Sequence, residues 1–290
     1  MRSHNSGVAT LALAIGLLTI APAALAVDYS PYVALGDSYT AAPGILPLAG
    51  IPIGCTRSAN NYPHQVASII GASLTDVSCG SATTANMTQS QFVGDGSNAP
   101  QFDALSTNTK LVTVGIGGND VPFGEIAGVC AGLGVTNPWG SPCKDFYNIT
   151  GTDQGIAKAN AVGPKIATVV QGIHSRSPNA KILVVGYPMV VPAAGGTVCF
   201  NYAVPIAAGD LPYVNQIEQT MNSAIKTAAE ANGAVFVDIY QSSIGHDACQ
   251  PGSAQWVNGI IPTSTGYWPV HPTLAGEQNI ANQVLTKLDY

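Results

Sequence analysis

Charged side chains are scarce in this 290-residue chain, in which only 9% of residues are Asp, Glu, Lys or Arg. The few charges are also unbalanced, with 16 acidic against 10 basic residues and a formal net charge of -6 at pH 7. A composition of this kind lacks the basic surface with which proteins bind nucleic acid. We therefore expect no nucleic-acid partner.

Short metal-binding spacings are also missing. None of the cysteines stands in a C-x-x-C pair, and the sequence contains no H-E-x-x-H pattern of the kind that holds zinc on a helix. We therefore expect no metal, and nothing in the sequence indicates another cofactor.

Long apolar runs are absent except near the N-terminus. Residues 1–26 combine Arg2, an apolar core at 8–20 and small residues at 24–26, which is the pattern of a cleaved secretory signal. The core is short for a bilayer span, which favours a signal over an uncleaved anchor. We predict a secreted, extracellular protein without an integral membrane anchor. No linker or repeat divides residues 27–290, so we expect one domain there. We also expect the protein to be a monomer.

Six cysteines follow the predicted signal and indicate an oxidising compartment with three disulfides. Spacing alone leaves many connectivities open. Pairing in sequence order is favoured because Cys130 and Cys143 flank one loop rich in Gly and Pro.

Short apolar runs alternate with helical patterns along residues 27–290. The predicted strands are 32–35, 74–78, 111–115, 181–186 and 234–238, and the main helical patterns are 61–70, 156–176 with a break at Gly163-Pro164, 214–232 and 272–288. This alternation predicts an α/β fold with about five parallel strands and helices on both faces. Residues 121–152 and 187–212 read as long loops, which we expect to form the walls of a substrate pocket.

Three of the predicted strands end in corners that carry chemistry. Ser38 follows the first strand, Gly80 the second and Asn119 the third. The carboxyl ends of parallel strands lie along one edge of a sheet, where α/β proteins bind ligands. Acyl transfer needs a nucleophile and donors to an oxyanion, which these residues supply as hydroxyl, backbone amide and side-chain amide.

A base for Ser38 is sought among the histidines. The predicted signal cleavage removes His4, while His64 and His174 lie in helical patterns and read as structural. His246 stands beside Cys249 and is a reserve candidate. His271 is the preferred base because it stands between two prolines just before the last predicted helix, on a segment that aims it rigidly.

These blocks together resemble the SGNH (GDSL-type) hydrolases, and most closely their secreted six-cysteine esterases and lipases. The resemblance rests on four blocks in order, namely Gly36-Asp37-Ser38, Gly80, Gly117-Gly118-Asn119-Asp120 and His271-Pro272. It implies a flavodoxin-like three-layer α/β/α sandwich that hydrolyses carboxylic esters through an acyl-enzyme.

The same resemblance implies roles for individual residues. Ser38 is the expected nucleophile and His271 the general base and acid, while the N–H groups of Ser38 and Gly80 and the side chain of Asn119 form the oxyanion hole. It also implies the disulfides Cys55–Cys79, Cys130–Cys143 and Cys199–Cys249.

One position departs from the family pattern. An aspartate that orients the histidine usually stands three residues before it, and here that residue is Trp268, which cannot accept a proton from the imidazole. We predict a Ser38–His271 dyad in which the main-chain carbonyl of Trp268 orients the ring. Asp37 reads as a structural turn residue, and Asp247 is a remote alternative.

Several functions remain open on sequence grounds. The same fold serves polysaccharide or sugar-ester deacetylases and phospholipases, and no lipid-specific motif separates esterase from lipase. A secreted binding module without turnover is the alternative from another class. A small-molecule or lipid ester is the expected partner.

Overall fold

A computed structural model describes Met1 and residues 27–192, 199–201, 203–261, 268–288 and 290. Apart from Met1, the predicted signal at 1–26 lies outside the described residues. Within the described part of the chain, no helix has the length and apolar character needed to cross a membrane.

Five parallel strands form the central sheet, and two further short strands form an antiparallel hairpin. The bounds are β1 (Tyr32–Gly36), β2 (Leu74–Asp76), β3 (Gln91–Phe92), β4 (Ser97–Asn98), β5 (Leu111–Gly115), β6 (Lys181–Val185) and β7 (Val235–Val237). The sheet order is β2-β1-β5-β6-β7, and β3 pairs with β4. This is the flavodoxin-like order, and it confirms the predicted fold class.

The helices follow the strands in the alternation that the sequence predicts. Their bounds are α1 (Ser38–Ala41), α2 (Tyr62–Ile70), α3 (Phe123–Gly134), α4 (Pro142–Tyr147), α5 (Gln154–Asn160), α6 (Gly163–Arg176), α7 (Leu211–Ala231), α8 (Ile239–Ser242) and α9 (Leu274–Thr286). The predicted helix at 156–176 is interrupted before Gly163-Pro164, because proline cannot continue the hydrogen bonding of a helix interior and instead occupies the first turn of α6.

Alternate residues of β1 face the two sides of the sheet. Val33 and Leu35 belong to a core that also contains Ile166 of α6 and Ile225 of α7. Tyr32 and Ala34 pack in a second core with buried residues of α2 and α9. Helices therefore cover both faces of the sheet, which gives the three layers.

The segment predicted as a loop at 121–152 contains two helices, so that expectation is wrong. Four glycines in α3 hide its helical pattern in the sequence, although Phe123, Ile126, Ala127 and Cys130 recur at helical spacing and are buried. The second predicted loop, 187–212, contains residues 193–198 and 202, which lie outside the described residues.

Three disulfides hold the connections between these elements. They join Cys55 to Cys79, Cys130 to Cys143 and Cys199 to Cys249, the pairs that the family resemblance implies. The first lies between the segments that follow β1 and β2, and the second joins α3 to α4.

The strand order fixes where a site forms. The chain leaves β1 toward β2 on one side and reaches β5 on the other, so the crevice between the carboxyl ends of β1 and β5 is the switch point of the sheet. Ser38 follows β1 and Asn119 follows β5, so both lie beside this crevice.

Buried carboxyl groups make the stability of the fold depend on pH. The carboxyl of Glu218 in α7 is fully buried and accepts the Val190 N–H, at 3.1 and 3.2 Å from its two oxygens. Burial raises the pKa of Glu218 well above its ordinary 4.5, the Val190 N–H opposes the rise, and Asp247 adds to it. The folded protein thus keeps a proton on Glu218 at pH values where the unfolded chain has lost it.

We predict that the contribution of Glu218 to the free energy of unfolding is present below about pH 4 and is lost as the pH rises toward its folded pKa. The Glu218→Gln variant removes this titration, so its stability falls less between pH 5 and pH 8 than that of the wild type. Urea unfolding at several pH values measures this, with Glu230→Gln, an exposed position on the same helix, as the matched control. Equal pH dependence in wild type and Glu218→Gln would contradict the prediction.

Candidate active site

Ser38 lies at a tight corner between β1 and α1. Gly36 adopts a φ of 153°, and a Cβ atom there would lie 2.2 Å from the Thr40 hydroxyl and 2.6 Å from the Gly115 carbonyl, so only glycine fits. Asp37 caps α1 by accepting the Tyr39 N–H at 2.9 Å. This corner brings the Ser38 hydroxyl to the edge of the sheet, where Ser38 is 9% exposed.

His271 approaches Ser38 from the segment that precedes α9. Its Nε2 lies 2.6 Å from the Ser38 Oγ. Its Nδ1 lies 2.7 Å from the main-chain oxygen of Pro269. Because a carbonyl can only accept, Nδ1 carries the proton and Nε2 is the free acceptor that faces the Ser38 hydroxyl.

The predicted role of the Trp268 carbonyl is wrong by one residue. That oxygen accepts the backbone N–H of His271 at 3.3 Å, whereas the Pro269 carbonyl reaches the ring. Proline at 269 has no N–H of its own. A tight turn at 268–271 brings its carbonyl within hydrogen-bond distance of the imidazole Nδ1. The ring is therefore oriented by main chain, as the sequence predicts, but from a different residue.

Tyr39, directly after Ser38, holds the same loop from the other side. Its hydroxyl donates to the Val270 carbonyl at 2.5 Å, and its ring stacks on the imidazole of His271 with centroids 4.8 Å apart. The carbonyl of His271 in turn accepts the backbone and side-chain N–H groups of Asn258 at 2.9 and 3.2 Å. The histidine is thus held on its ring face and on both sides of its backbone.

A second tyrosine ties the Ser38 corner to the Asn119 corner. The Tyr187 hydroxyl donates to the Asp37 carboxylate and accepts the Gly118 N–H at 2.7 Å. Burial raises the pKa of Asp37 to about 7, while the hydrogen bond from Tyr187 opposes the rise. Asp37 is thus a structural link, consistent with the turn role that its position predicts.

Sequence reasoning singled out neither tyrosine. Tyr187 follows β6 as Ser38 follows β1, and Tyr39 adjoins Ser38, so both stand where strand-end chemistry is expected.

The expected oxyanion donors lie around one small cavity of about 130 Å³. Its wall includes Ser38, Gly80, Asn119, Trp268 and His271. As the first residue of α1, Ser38 has an N–H without a partner inside the helix. The Asn119 amide donates one hydrogen to the Ala82 carbonyl at 2.9 Å and retains a second.

The Gly80 N–H is engaged in this structure. It donates to the Cys55 carbonyl at 2.9 Å. An oxyanion in the cavity receives this hydrogen only by sharing it with Cys55 or by displacing that carbonyl. The Ser38 and Asn119 donors need no such change.

A larger cavity of about 580 Å³ meets the first at Asn119. Its apolar wall includes Met87, Phe102 and Val169. Asp120 also lines this cavity and pairs with Lys165 at 2.9 Å. No residue of 121–152, nor of the described part of 187–212, lines either cavity. The predicted pocket wall at 121–152 is therefore wrong for these cavities, because α3 turns Phe123, Ile126 and Cys130 into the core. The wall predicted at 187–212 falls partly on residues 193–198 and 202, which lie outside the described residues.

The other histidines outside the predicted signal bond elsewhere. His64 contacts the Asn61 side chain at 2.6 Å, and His174 contacts the Asn232 carbonyl at 3.0 Å. His246, the reserve candidate, bonds to the Ala254 carbonyl at 2.8 Å and stacks on Trp256. Asp247, the remote alternative for an orienting acid, accepts the Cys249 N–H at 2.9 Å.

The electrostatic setting of His271 favours a neutral ring. Burial lowers the pKa of His271 below its ordinary 6.5, and the hydrogen bond to the Pro269 carbonyl opposes this shift. A neutral imidazole at pH 7 leaves Nε2 able to take a proton from Ser38.

We predict that His271 titrates below pH 6.5 in the folded protein, because partial burial of its ring disfavours the protonated form. Proton NMR of the histidine ring signals across pH 4–9 measures this, with the signal assigned by its loss in His271→Gln. A midpoint above 6.5 would contradict the prediction.

Comparison with known proteins identifies relatives over almost the whole chain. The sequence matches the GDSL-like Lipase/Acylhydrolase family over residues 34–278. Lipase 2 of Streptomyces coelicolor is 41% identical over 291 residues, which cover 99% of this chain and 96% of that protein. An esterase of Streptomyces scabiei is 30% identical over 301 residues, which cover 90% of this chain and 86% of that protein.

Solved structures share the fold. An extracellular lipase from Streptomyces rimosus superposes with a TM-score of 0.69 at 26% identity, covering 89% of this chain and 98% of that one. A phospholipase A1 from Streptomyces albidoflavus has the same TM-score at 24% identity, covering 88% and 98% of the two chains, which shows a common fold. With a family match that spans β1 to α9 and a relative alike along nearly its full length, this chain belongs to the GDSL-like lipase/acylhydrolase family.

Proposed function

We propose that this protein is a secreted serine hydrolase that cleaves carboxylic acid esters through an acyl-enzyme at Ser38. The observation that carries the proposal is the 2.6 Å contact between the Ser38 Oγ and the His271 Nε2 beside a cavity with oxyanion donors. Family membership and relatives named lipase and esterase support the same reaction.

The first step is the transfer of the Ser38 hydroxyl proton. The neutral Nε2 of His271 takes this proton while the Ser38 oxygen forms a bond to the ester carbonyl carbon. The resulting imidazolium keeps its Nδ1–H on the Pro269 carbonyl, whose dipole favours the positive ring. The Pro269 carbonyl accepts a hydrogen bond but does not take up the proton, so both protons stay on His271.

The tetrahedral intermediate places negative charge on the former carbonyl oxygen. The Ser38 N–H and the second hydrogen of the Asn119 amide are the donors best placed to bind it, and Gly80 joins them once its hydrogen bond to Cys55 is shared. His271 then gives its proton to the departing alcohol, which leaves an acyl group on Ser38. A water molecule, deprotonated by His271, releases the acid and restores Ser38.

The cavities support an ester with an apolar part. The small cavity of about 130 Å³ holds the reacting carboxyl group, and the larger cavity beyond Asn119 has Met87, Phe102 and Val169 on its wall. We propose simple carboxylic esters with short to medium acyl chains as substrates.

Export of the protein is part of the proposal. A signal-like segment at 1–26 and three disulfides support an oxidising, extracellular site of action. The division into a signal at 1–26 and one catalytic domain at 27–290 stays a prediction, as does the monomeric state.

The function is tested on nitrophenyl esters from acetyl to palmitoyl. We expect wild-type hydrolysis, and a loss in kcat on the order of 10⁴ or more in Ser38→Ala and in His271→Ala. Because the two residues act as a unit, the double variant is expected to lose little more than either single one. A wild type without esterase activity would favour the binding module, and an active Ser38→Ala would remove Ser38 from the reaction.

We predict that Asn119→Ala lowers kcat by about 10²–10³ with little change in fold, because one oxyanion donor is lost. Trp268→Ala is the matched control, since Trp268 lines the same cavity but offers no oxyanion donor there, and its ring meets the His271 ring only edge-on with centroids 6.4 Å apart. We expect it to retain much of the activity. Steady-state kinetics with circular dichroism measure both, and equal losses in the two variants would contradict the assignment.

A further inference from the structure

A stretch of the chain next to the catalytic cavity carries apolar side chains into solvent. Residues 41–56 contain no charged side chain. Within them Leu46, Leu48, Ile51 and Ile53 are exposed by 71%, 40%, 84% and 59%. We call these four residues the apolar rim. Single exposed apolar residues are ordinary, but four within eight positions mark an interaction surface.

The backbone beneath the apolar rim is tightly bonded. The Asp95 carboxylate accepts the N–H groups of Ile53 and Gly54, each at 2.8 Å. The guanidinium of buried Arg57 donates to the Ile51 carbonyl, and the Cys55–Cys79 disulfide closes the segment. The apolar side chains are thus presented by an ordered loop, so that binding through them needs little further ordering of the chain.

The apolar rim borders the catalytic cavity. Pro43 and Gly54, which stand on either side of the rim in the sequence, both line the cavity that contains Ser38 and His271. Trp268, which lines the same cavity, is 49% exposed and adds a large apolar ring at its mouth. Whatever covers the rim therefore lies beside the entrance for the substrate.

We propose that the apolar rim docks the enzyme on a neutral lipid–water interface, from which ester molecules enter the catalytic cavity. The proposal rests on the proposed esterase function. The rim side chains carry no charge, while the exposed Asp95 carboxylate next to Ile53 and the net charge of -6 both disfavour an anionic surface. An uncharged or zwitterionic interface therefore fits best. Aggregated esters present such an interface, and the position of the rim brings them to Ser38.

Binding is tested with phosphatidylcholine vesicles and Ser38→Ala protein, which leaves the lipid intact. We expect the parent to float with the vesicles. Adding Ile51→Glu is expected to weaken partitioning roughly tenfold or more, because an apolar side chain that enters the interface is replaced by a charge. Leu46→Glu repeats the test at a second position. Ile149→Glu is the matched control, since Ile149 is 81% exposed on a segment that does not line the cavity.

The control and the parent decide the outcome. Loss in both rim variants with Ile149→Glu unchanged supports docking through the rim. Equal losses in all three variants, or no binding by the parent, would overturn it. A different result would show that a second copy of the chain covers the rim. In that case the parent does not bind vesicles and forms dimers in sedimentation, and Ile51→Glu dissociates these dimers.

Kinetics separate this inference from the esterase function itself. In protein with intact Ser38, Ile51→Glu is expected to hydrolyse dissolved nitrophenyl acetate at the wild-type rate and emulsified tributyrin at least about tenfold more slowly. An equal loss on both substrates would contradict a docking role. Failure of the wild type on both substrates would instead contradict the proposed function, while vesicle binding by the Ser38→Ala series would still test the rim.

Discussion

The hydrogen bond between Ser38 and His271 joins parts of the chain that are 233 residues apart, and the arrangement of the site depends on it. One end is fixed by β1, whose last residue turns through Gly36 into the short helix α1. The other end is fixed by α9, which Thr273 caps by accepting the Gly276 N–H at 3.3 Å. Packing of α9 and α2 on one face of the sheet brings the two ends together.

Orientation of the His271 ring by main chain alters what the rest of the protein must provide. A carboxylate would hold the imidazole by charge, whereas the Pro269 carbonyl offers only a dipole. The remaining order comes from the stacked ring of Tyr39, its hydrogen bond to Val270 and the two bonds from Asn258 to the His271 carbonyl. Burial favours the neutral form of the His271 ring. With this support the site needs no carboxylate beside the ring, in keeping with the low content of charged residues in the whole chain.

Much of this arrangement is readable from the sequence because it follows from strand ends. Apolar runs that stop at glycine corners predicted the five parallel strands, and the edge that they share predicted that Ser38 and Asn119 would be neighbours. The family pattern places an orienting side chain three residues before the histidine, which predicts Trp268 as the source of the orienting carbonyl. The actual contact, to Pro269, depends on the path of the backbone through a turn. The glycines of α3 conceal that helix for a different reason, since their lack of side chains weakens the periodicity that marks a helix.

Long-range polar contacts are harder to foresee. The link from Asp37 through Tyr187 to Gly118 joins three strand ends, and no local pattern marks it. The exposure of the apolar residues at 46–53 is likewise absent from the sequence pattern, since exposure is a property of packing and cannot be taken from composition. Both features adjoin the predicted corners, so the residues near a strand end merit the same attention as the nucleophile.

Covalent labelling is the most direct test of whether Ser38 is an activated nucleophile. Wild-type protein is treated with a phosphonate ester, and intact-mass and peptide mass spectrometry then locate the adduct. We expect one adduct per chain, on the peptide that contains Ser38, and far slower labelling in His271→Ala. A wild-type protein that stays unlabelled, or that carries its adduct on another residue, would contradict it.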